Sequence, residues 1–309
     1  MNDSKFVYGP VPSRRMGESL GISPIPKKTC NYSCIYCQLG RTNKLSNKRL
    51  EFFSISDIIE EFKTYLKSGS EFYVVTIVGE GEEPTLYSKI GELIGKIKEL
   101  TSKPVAVITN GALLYDKRVR DELGGADIVL PSLDAYDEDT FKRINRPYPK
   151  LNFMECYNGL IEFSKIYKGQ LWLEIMLIDG INDASDSLRK LKLLIKEVKY
   201  HRLYINTPAR PPAEEYVKTV SSENMNMAIE MLGGISIENL VSVGFSSGIK
   251  DDYGAILSII KRHPMNQFEI KSFLNSRKCE EIDNIIERLN QDINISHIDY
   301  KGFITYRLK

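Results

Sequence analysis

Three cysteines lie within eight residues of one another, at Cys30, Cys34 and Cys37, in a CxxxCxxC pattern that directly follows a predicted strand. Thiolates this close on one loop can ligate one metal centre, and soft sulfur ligands select zinc or an iron–sulfur cluster. A structural zinc normally takes a fourth cysteine or histidine, but His201, His263 and His297 are all distant in sequence. Three ligands on a four-iron cluster leave one iron open to a small molecule. The spacing therefore favours an iron–sulfur centre, with structural zinc as the alternative.

The other two cysteines indicate the compartment. Cys156 falls within an amphipathic stretch, where a buried structural thiol is expected, and Cys279 is far from it. Five cysteines suit no disulfide framework. No apolar run approaches the roughly 18 residues of a membrane helix, and the first fifteen residues lack the apolar core of a secretory signal. We expect a cytoplasmic protein with no membrane partner.

Charge is balanced overall but uneven along the chain. Lys and Arg number 42 and Asp and Glu 41, a net charge of +1, which excludes a protein built to coat nucleic acid. Residues 1–50 nevertheless hold nine basic groups and two acidic ones. This basic segment surrounds the cysteines, so it predicts attraction of an anionic molecule to that region.

After residue 50, short apolar runs alternate with amphipathic stretches, which predicts strands separated by helices. The predicted strands are an early one near 19–25, then 72–78, 104–109, 127–131, 171–178 and 202–206. The predicted helices are 56–67, 88–100, 116–123, 138–144, 153–167 and 184–198. Such an order forms a parallel sheet, either open and doubly wound or an incomplete (β/α) barrel, with chemistry at the carboxyl ends of the strands.

The last sixty residues have a different pattern. Three helical stretches, 252–262, 267–274 and 280–291, precede a hairpin at 296–306 that turns at Lys301-Gly302. Three helices and a hairpin are typical of a winged helix, so we predict two domains, 1–248 and 249–309. The second holds ten basic and nine acidic groups, too even a balance for DNA binding, which makes DNA an unlikely partner.

The whole pattern resembles the radical S-adenosylmethionine (radical SAM) superfamily. The CxxxCxxC spacing with Tyr36 before its last cysteine is that superfamily's signature. The segments GISPIPKKTCNYSCIYCQLGRT, EEPTL, VITNGALL, LPSLDA, INRPYP, WLEIMLIDGIND and NTPARPP resemble the branch with wyosine-type tRNA-modifying enzymes and uncharacterised iron–sulfur oxidoreductases. The resemblance implies a partial (β/α)6 barrel of radical SAM type, a cluster loop at residues 27–41, and the small winged-helix-like domain after it.

The resemblance also implies the activity. Cys30, Cys34 and Cys37 would hold a [4Fe-4S] cluster whose open iron chelates the amino and carboxylate groups of S-adenosylmethionine (SAM). Reductive cleavage of SAM would give methionine and a 5′-deoxyadenosyl radical that abstracts hydrogen from a substrate, while the protein supplies orientation and exclusion of water. Such an enzyme needs an electron donor, and the basic segment fits an acidic one such as flavodoxin or ferredoxin. No residue is assigned a catalytic role beyond the cofactors.

The SAM pocket implied by the family falls on residues at the strand ends. The family carries a Gly-Glu motif for the methionyl ammonium, which here is Gly79-Glu80-Gly81-Glu82-Glu83-Pro84. It departs from the commoner pattern, and we expect Glu83, then Glu82, to face the ammonium. The remaining expected pocket residues are Tyr36 beside the adenine, Asn110, Ser132, Asp134, Glu174, Met176 and Asn206.

The substrate and two other functions stay open from the sequence. The substrate is RNA, a peptide or a small anionic molecule. Wyosine-type tRNA base modification needs a second cluster on three more cysteines, and Cys156 and Cys279 alone disfavour it. An iron–sulfur redox sensor that reads DNA through the winged helix is the rival from another class, and the near-neutral tail argues against it.

Overall fold

The computed structural model describes residues 5–69, 71–78, 82–240, 244–245, 247, 249–261 and 263–309. Its strands in chain order are β1 Val7–Ser13, β2 Gly17–Ile22, β3 Thr29–Cys30, β4 Lys44–Leu45, β5 Val74–Ile77, β6 Val105–Thr109, β7 Ile128–Pro131, β8 Gln170–Met176, β9 Arg202–Asn206, β10 Ile235–Ser236, β11 Met265–Asn266, β12 Ile295–Tyr300 and β13 Phe303–Leu308. Its α-helices are α1 Ile55–Lys67, α2 Ile90–Leu100, α3 Lys117–Leu123, α4 Glu138–Ile144, α5 Phe153–Ile166, α6 Ser185–Ile195, α7 Ser222–Leu232, α8 Asp252–Ile260, α9 Gln267–Ser276 and α10 Ile282–Gln291.

The central sheet contains eight strands among the described residues, in the order β1-β2-β5-β6-β7-β8-β9-β10. All neighbours are parallel except β1 and β2, which pair antiparallel. The six strands predicted from sequence are β2 and β5 to β9, at successive positions of this sheet. The predicted α/β fold, a partial barrel of parallel strands, is thereby confirmed.

The helices form because each has an apolar face and a capped start. Helix α1 begins after Ser54, whose hydroxyl accepts a hydrogen bond from the backbone N–H of Asp57 at 3.2 Å. Its Ile58 and Phe62, one turn apart, are fully buried. All four residues of β5 are buried, as expected for a parallel strand covered on both faces. The core therefore lies between the sheet and the helices, and the strand ends are fixed at one edge.

Among the described strands and α-helices of the barrel region, five were not predicted, namely β1, β3, β4, α7 and β10. Strand β1 contains Gly9, Pro10 and Pro12. Glycine and proline together indicate a turn, and proline cannot donate a ladder hydrogen bond. The strand forms nonetheless because it lies at an edge of the sheet, where β2 is its neighbour. Edge position, which depends on the whole topology, overrides the local signal.

The last sixty residues build a smaller layer with its own core. Helices α8, α9 and α10 pack on a three-stranded sheet of order β11-β13-β12, around buried Ile256, Phe273 and Tyr306. These are the three helices and the hairpin that the sequence predicts. The structure adds the short strand β11, and the division at 248/249 remains a prediction, since Gly248 is outside the described residues.

Helix α5 approaches the loop after β6 closely enough to require a glycine. A Cβ on Gly159 would lie 2.7 Å from the Cα of Tyr115, which is closer than packed atoms come. In contrast, a Cβ on Gly95 in α2 would have no atom within 4 Å. The helix thus braces the segment that follows β6, where Asn110 lies.

We predict opposite effects of alanine at these two helical glycines. Alanine is the better helix former by about 0.5–1 kcal/mol, so Gly95→Ala should raise the free energy of unfolding by about that amount. Gly159→Ala should lower it by about 1–3 kcal/mol, because the methyl group meets backbone that cannot rotate away. Urea denaturation of both variants measures the difference, and equal stabilisation by both would contradict this packing.

Candidate functional site

The cysteine loop has little regular structure and is held by backbone hydrogen bonds to distant segments. The N–H of Ser33 donates to the carbonyl of Asn145 at 3.0 Å, and that of Ile35 donates to Ile144 at 2.9 Å. On the other side, the N–H of Glu214 donates to the carbonyl of Ile35 at 3.1 Å. The loop is therefore fixed between the end of α4 and the segment after β9.

Amide groups donate hydrogen bonds to two of the three sulfurs. Nδ2 of Asn110 lies 3.6 Å from Sγ of Cys30, which also accepts from the backbone N–H of Tyr32 at 3.4 Å. Nδ2 of Asn145 lies 3.6 Å from Sγ of Cys34. Donors aimed at sulfur stabilise thiolates, and they orient the ligands of a metal centre. Asn145, within the INRPYP segment, was not among the predicted site residues.

The pKa of each thiol is raised, chiefly because burial disfavours the charged form. The pKa of Cys34 rises to about 12, with the charge of Asp134 adding to burial. That of Cys30 rises well above its usual value, and that of Cys37 also rises. Three partly buried thiols with raised pKa values become thiolates readily when a metal centre takes the place of their protons.

The ligand set fits a cluster better than one metal ion. Among the residues that the structure describes, no three Cys, His, Asp or Glu side chains come close enough to hold a single ion. A structural zinc normally takes four ligands, whereas the cysteine loop supplies three thiols. The three thiols on one loop, with amide donors on their sulfurs, fit the [4Fe-4S] group that the sequence predicts.

Asp134 joins the cysteine loop to the sheet. Its Oδ2 accepts from the phenol of Tyr36 at 2.5 Å and from Nδ2 of Asn145 at 2.9 Å, and its Oδ1 accepts from the N–H of Met176 at 2.9 Å. Burial raises the pKa of Asp134, and these donors oppose the shift. The structure thus places Tyr36 and Asp134 in contact, with the phenol hydrogen-bonded to the carboxylate.

The two glutamates of the predicted Gly-Glu motif have different surroundings. Oε1 of Glu83 accepts from the hydroxyls of Thr85 and Thr109, both at 2.6 Å, and Oε2 accepts from the N–H of Asn110 at 2.7 Å. Burial raises the pKa of Glu83 and these bonds oppose the rise. Glu82 is also buried, and its charge raises the pKa of Cys37. Glu83 therefore ties two strand ends together, while Glu82 lies toward the cysteines. Gly79, Glu80 and Gly81 are outside the described residues.

A cavity of about 30 Å³ lies at the strand ends, between the sheet and helices α4 and α5, and is lined by Asn110, Ser132, Asp134 and Asn145 among others. Asn110 is already bonded, since its Nδ2 donates to Oδ1 of Asn31 at 2.7 Å and its Oδ1 accepts from Ala112. The hydroxyl of Ser132 has no hydrogen-bond partner within the described part of the chain. The cavity thus brings three predicted pocket residues together, and Ser132 has hydrogen-bonding capacity to spare.

Glu174 and Asn206 meet on neighbouring strands, with Arg15 beside them. Nδ2 of Asn206 donates to Oε1 of Glu174 at 3.2 Å, and Arg15 forms an ion pair with the same carboxylate. Burial lowers the pKa of Arg15 to about 10. Met176, two residues further along β8, packs instead against the buried group containing Ile35. Arg15 belongs to the basic segment of residues 1–50, and its pairing with Glu174 depends on the β1–β2 hairpin, whose first strand was not predicted.

A family model described as the radical SAM superfamily matches residues 25–191, which include the cysteine loop and the ends of β5 to β8. The chain belongs to the radical SAM superfamily. Membership confirms the prediction made from the CxxxCxxC loop, together with the [4Fe-4S] cluster and SAM on which these enzymes depend.

Two curated relatives extend the likeness beyond the matched segment. A UPF0026 protein of Methanocaldococcus jannaschii is 33% identical over 97% of this chain and 95% of its own length. A protein of Brachyspira hyodysenteriae named GTPase Obg is 42% identical over 73% of this chain, but this chain spans only 33% of it. The first of these relatives matches nearly end to end, so the likeness includes the C-terminal residues.

Solved structures agree with the fold. TYW1 with a lysine-pyruvate adduct bound superposes with a TM-score of 0.51 at 20% identity, over 72% of this chain and 74% of that one. A radical SAM methyltransferase from Sphaerobacter thermophilus has a TM-score of 0.53 at 16% identity, over 71% of this chain and 64% of that one. None of the helices in the described part of the chain combines the length and apolar character needed to cross a membrane.

We predict that acid loosens the cysteine loop through Glu214, whose carboxylate pairs with Arg41 and Arg146. Hydrogen bonding to Arg41 is the main cause that lowers the pKa of Glu214 from 4.5 to about 2. A depressed pKa stabilises the fold above pH 4.5, and this contribution is lost as the pH falls from 4.5 toward 2. Glu214→Gln should therefore lower the melting temperature at pH 7 and have progressively less effect below pH 4.5.

Glu215→Gln is the matched control, because Glu215 is the exposed neighbour of Glu214. Its melting temperature should follow that of the wild type at every pH. A difference between Glu214→Gln and wild type that stays constant from pH 7 to pH 3 would contradict the role of this carboxylate.

Proposed function

We propose that the protein is a radical SAM enzyme in which Cys30, Cys34 and Cys37 hold the [4Fe-4S] cluster and the strand ends hold SAM. The observation that carries the proposal is the partly buried cysteine loop, two of whose thiols receive amide hydrogen bonds from Asn110 and Asn145. The cluster, when bound, supplies the electron that cleaves SAM to methionine and a 5′-deoxyadenosyl radical, which abstracts hydrogen from the substrate.

The chain's own residues position the groups and exclude water. Asn110 and Asn145 fix the thiolates, and the bond from Tyr36 to Asp134 holds the cysteine loop against the sheet. The phenol of Tyr36 is already hydrogen-bonded to Asp134. We therefore assign the contact with the adenine of SAM to the backbone of Tyr36. The hydroxyl of Ser132 is suited to a ribose hydroxyl, since Ser132 directly follows β7 at the strand ends.

Glu82 is the carboxylate that we assign to the methionyl ammonium of SAM. Glu83 is surrounded by the donors of Thr85, Thr109 and Asn110, so its charge is already compensated. Glu82 is buried and its charge acts on Cys37. A buried carboxylate beside the cluster loop pairs well with a bound ammonium group. Glu174 and Asn206, further along the strands, lie on the substrate side of this pocket.

An acidic electron donor, flavodoxin or ferredoxin, is proposed to dock on the basic side chains around the cluster loop. Lys27, Arg41, Lys44 and Lys48 are all exposed in this region. In contrast, Arg49 is partly buried and donates to the carbonyls of Thr85 and Tyr87, so its role is structural. Exposed charges of one sign steer a partner of the opposite sign in a salt-dependent manner.

The activity is tested with protein reconstituted without oxygen. We expect about four irons per chain and release of 5′-deoxyadenosine from SAM on reduction, both lost in Cys34→Ala. With reduced flavodoxin as donor the rate should fall as salt is added, whereas with dithionite it should not. A complete cluster that never releases 5′-deoxyadenosine would overturn the proposed function, and equal salt dependence with both reductants would overturn the docking site.

We predict that substitution of Glu82 chiefly weakens SAM binding, whereas substitution of Glu83 chiefly lowers the stability of the fold. Glu82→Gln removes the charge that we assign to the ammonium, so it should weaken SAM binding about tenfold or more and lower the melting temperature less than Glu83→Gln does. Glu83→Gln places an amide against the N–H of Asn110, so it should lower the melting temperature first. Calorimetric titration of SAM and thermal denaturation measure the two effects. Wild-type SAM affinity in a folded Glu82→Gln variant would contradict this assignment.

A further inference from the structure

An arginine of the C-terminal layer reaches the cysteine loop. Arg307 lies on β13, and its Nη1 donates to the backbone carbonyl of Gln38 at 3.0 Å. Gln38 directly follows Cys37, so the contact joins the end of the chain to the residue after the last cysteine. A partly buried arginine bonded to a backbone carbonyl keeps one fixed position.

A second cation meets Arg307 at the same place. The Nζ of Lys28 lies 3.7 Å from the point where a Cβ on Gly40 would stand, and both Nη atoms of Arg307 lie 3.9 Å from it. Gly40 has a φ of +85°, and its N–H donates to the carbonyl of Cys37 at 3.0 Å. The two cations therefore converge on the turn that closes the cysteine loop.

The charges of these cations act on Cys37. Burial raises the pKa of that thiol, whereas Arg307 and Lys28 favour its thiolate. Burial lowers the pKa of Arg307 and the charge of Cys37 opposes this. A guanidinium titrates so far above neutrality that it remains a cation here.

The C-terminal layer is anchored so that Arg307 cannot swing away. Arg210, after β9, pairs with Glu269 of α9 at 2.9 Å. Tyr300, on the strand that pairs with β13, donates to the carbonyl of Pro208 at 2.7 Å. These contacts attach α9 and β12 to the segment after β9, and β12 pairs with β13, which carries Arg307.

We propose that Arg307, assisted by Lys28, stabilises the reduced state of the iron–sulfur cluster and so makes the C-terminal layer a determinant of its redox potential. This inference rests on the proposed function of the three cysteines. A cluster gains one negative charge on reduction, and a nearby cation that is screened little by water favours the more negative state. Charge and hydrogen bonding around the thiolates are known means of tuning such potentials. Arg307 is thus a positioning and electrostatic residue that acts through Cys37.

The test is a redox titration of the reconstituted cluster, followed by electron paramagnetic resonance, with neither SAM nor substrate added. Arg307→Gln should shift the midpoint potential to more negative values. A tenfold lower ratio of reduced to oxidised cluster at one solution potential corresponds to a shift of about 59 mV for one electron. Arg307→Lys, which keeps the charge, should lie between wild type and Arg307→Gln.

Lys271→Gln is the control, because it removes one positive charge from an exposed position on α9 of the same layer. Its midpoint potential should equal that of the wild type.

A fully loaded Arg307→Gln variant with the wild-type potential would overturn the inference. Should Arg307→Gln fail to fold or to retain iron, Lys28→Gln tests the same effect, and an unchanged potential there would also overturn it. Wild-type protein without a four-iron cluster would overturn the proposed function, and this inference with it.

Discussion

The gathering of three partly buried thiols on one loop with little regular structure is the constraint on which the rest of the site depends. Such a loop cannot hold its own shape, because few of its backbone groups pair within it. Its N–H and carbonyl groups pair instead with the end of α4 and with the segment after β9. Those two segments follow different strands, so the loop acquires its shape only when the sheet brings them to the same edge. The shape of the cysteine loop therefore depends on the folding of the whole barrel.

Two buried carboxylates extend this dependence from the loop to the strands. Asp134 links Tyr36 of the loop to β8, and Glu83 links the ends of two strands through Thr109 and Asn110. Each carboxylate is bonded to neutral donors, and leaving such a group unpaired in a dry site would cost several kcal/mol. These two acids therefore fix the cysteine loop and the strand ends relative to one another.

The sequence was sufficient for the superfamily and for six strands, because these depend on local spacing and periodicity. It was insufficient for β1, whose prolines indicate a turn until the strand is known to lie at an edge. It was also insufficient for separating Glu82 from Glu83, since adjacent residues share one motif and only their neighbours in space distinguish them. Arg307 lies 269 residues from its partner Gln38, so no local pattern could have paired them.

The C-terminal layer is nearly neutral in sum, but its single charges matter where they lie close to the cysteine loop. A sum of ten basic and nine acidic groups argues against a DNA reader, yet electrostatic effects at a buried site depend on single charges and on distance. Glu269 neutralises Arg210 at the anchoring contact, whereas Arg307 meets a backbone carbonyl and the last cysteine. One acid of the layer thus serves in its attachment, while Arg307 lies against the cysteine loop. In the inference drawn above, a unit whose elements resemble those of a winged helix contributes a charge to the redox site.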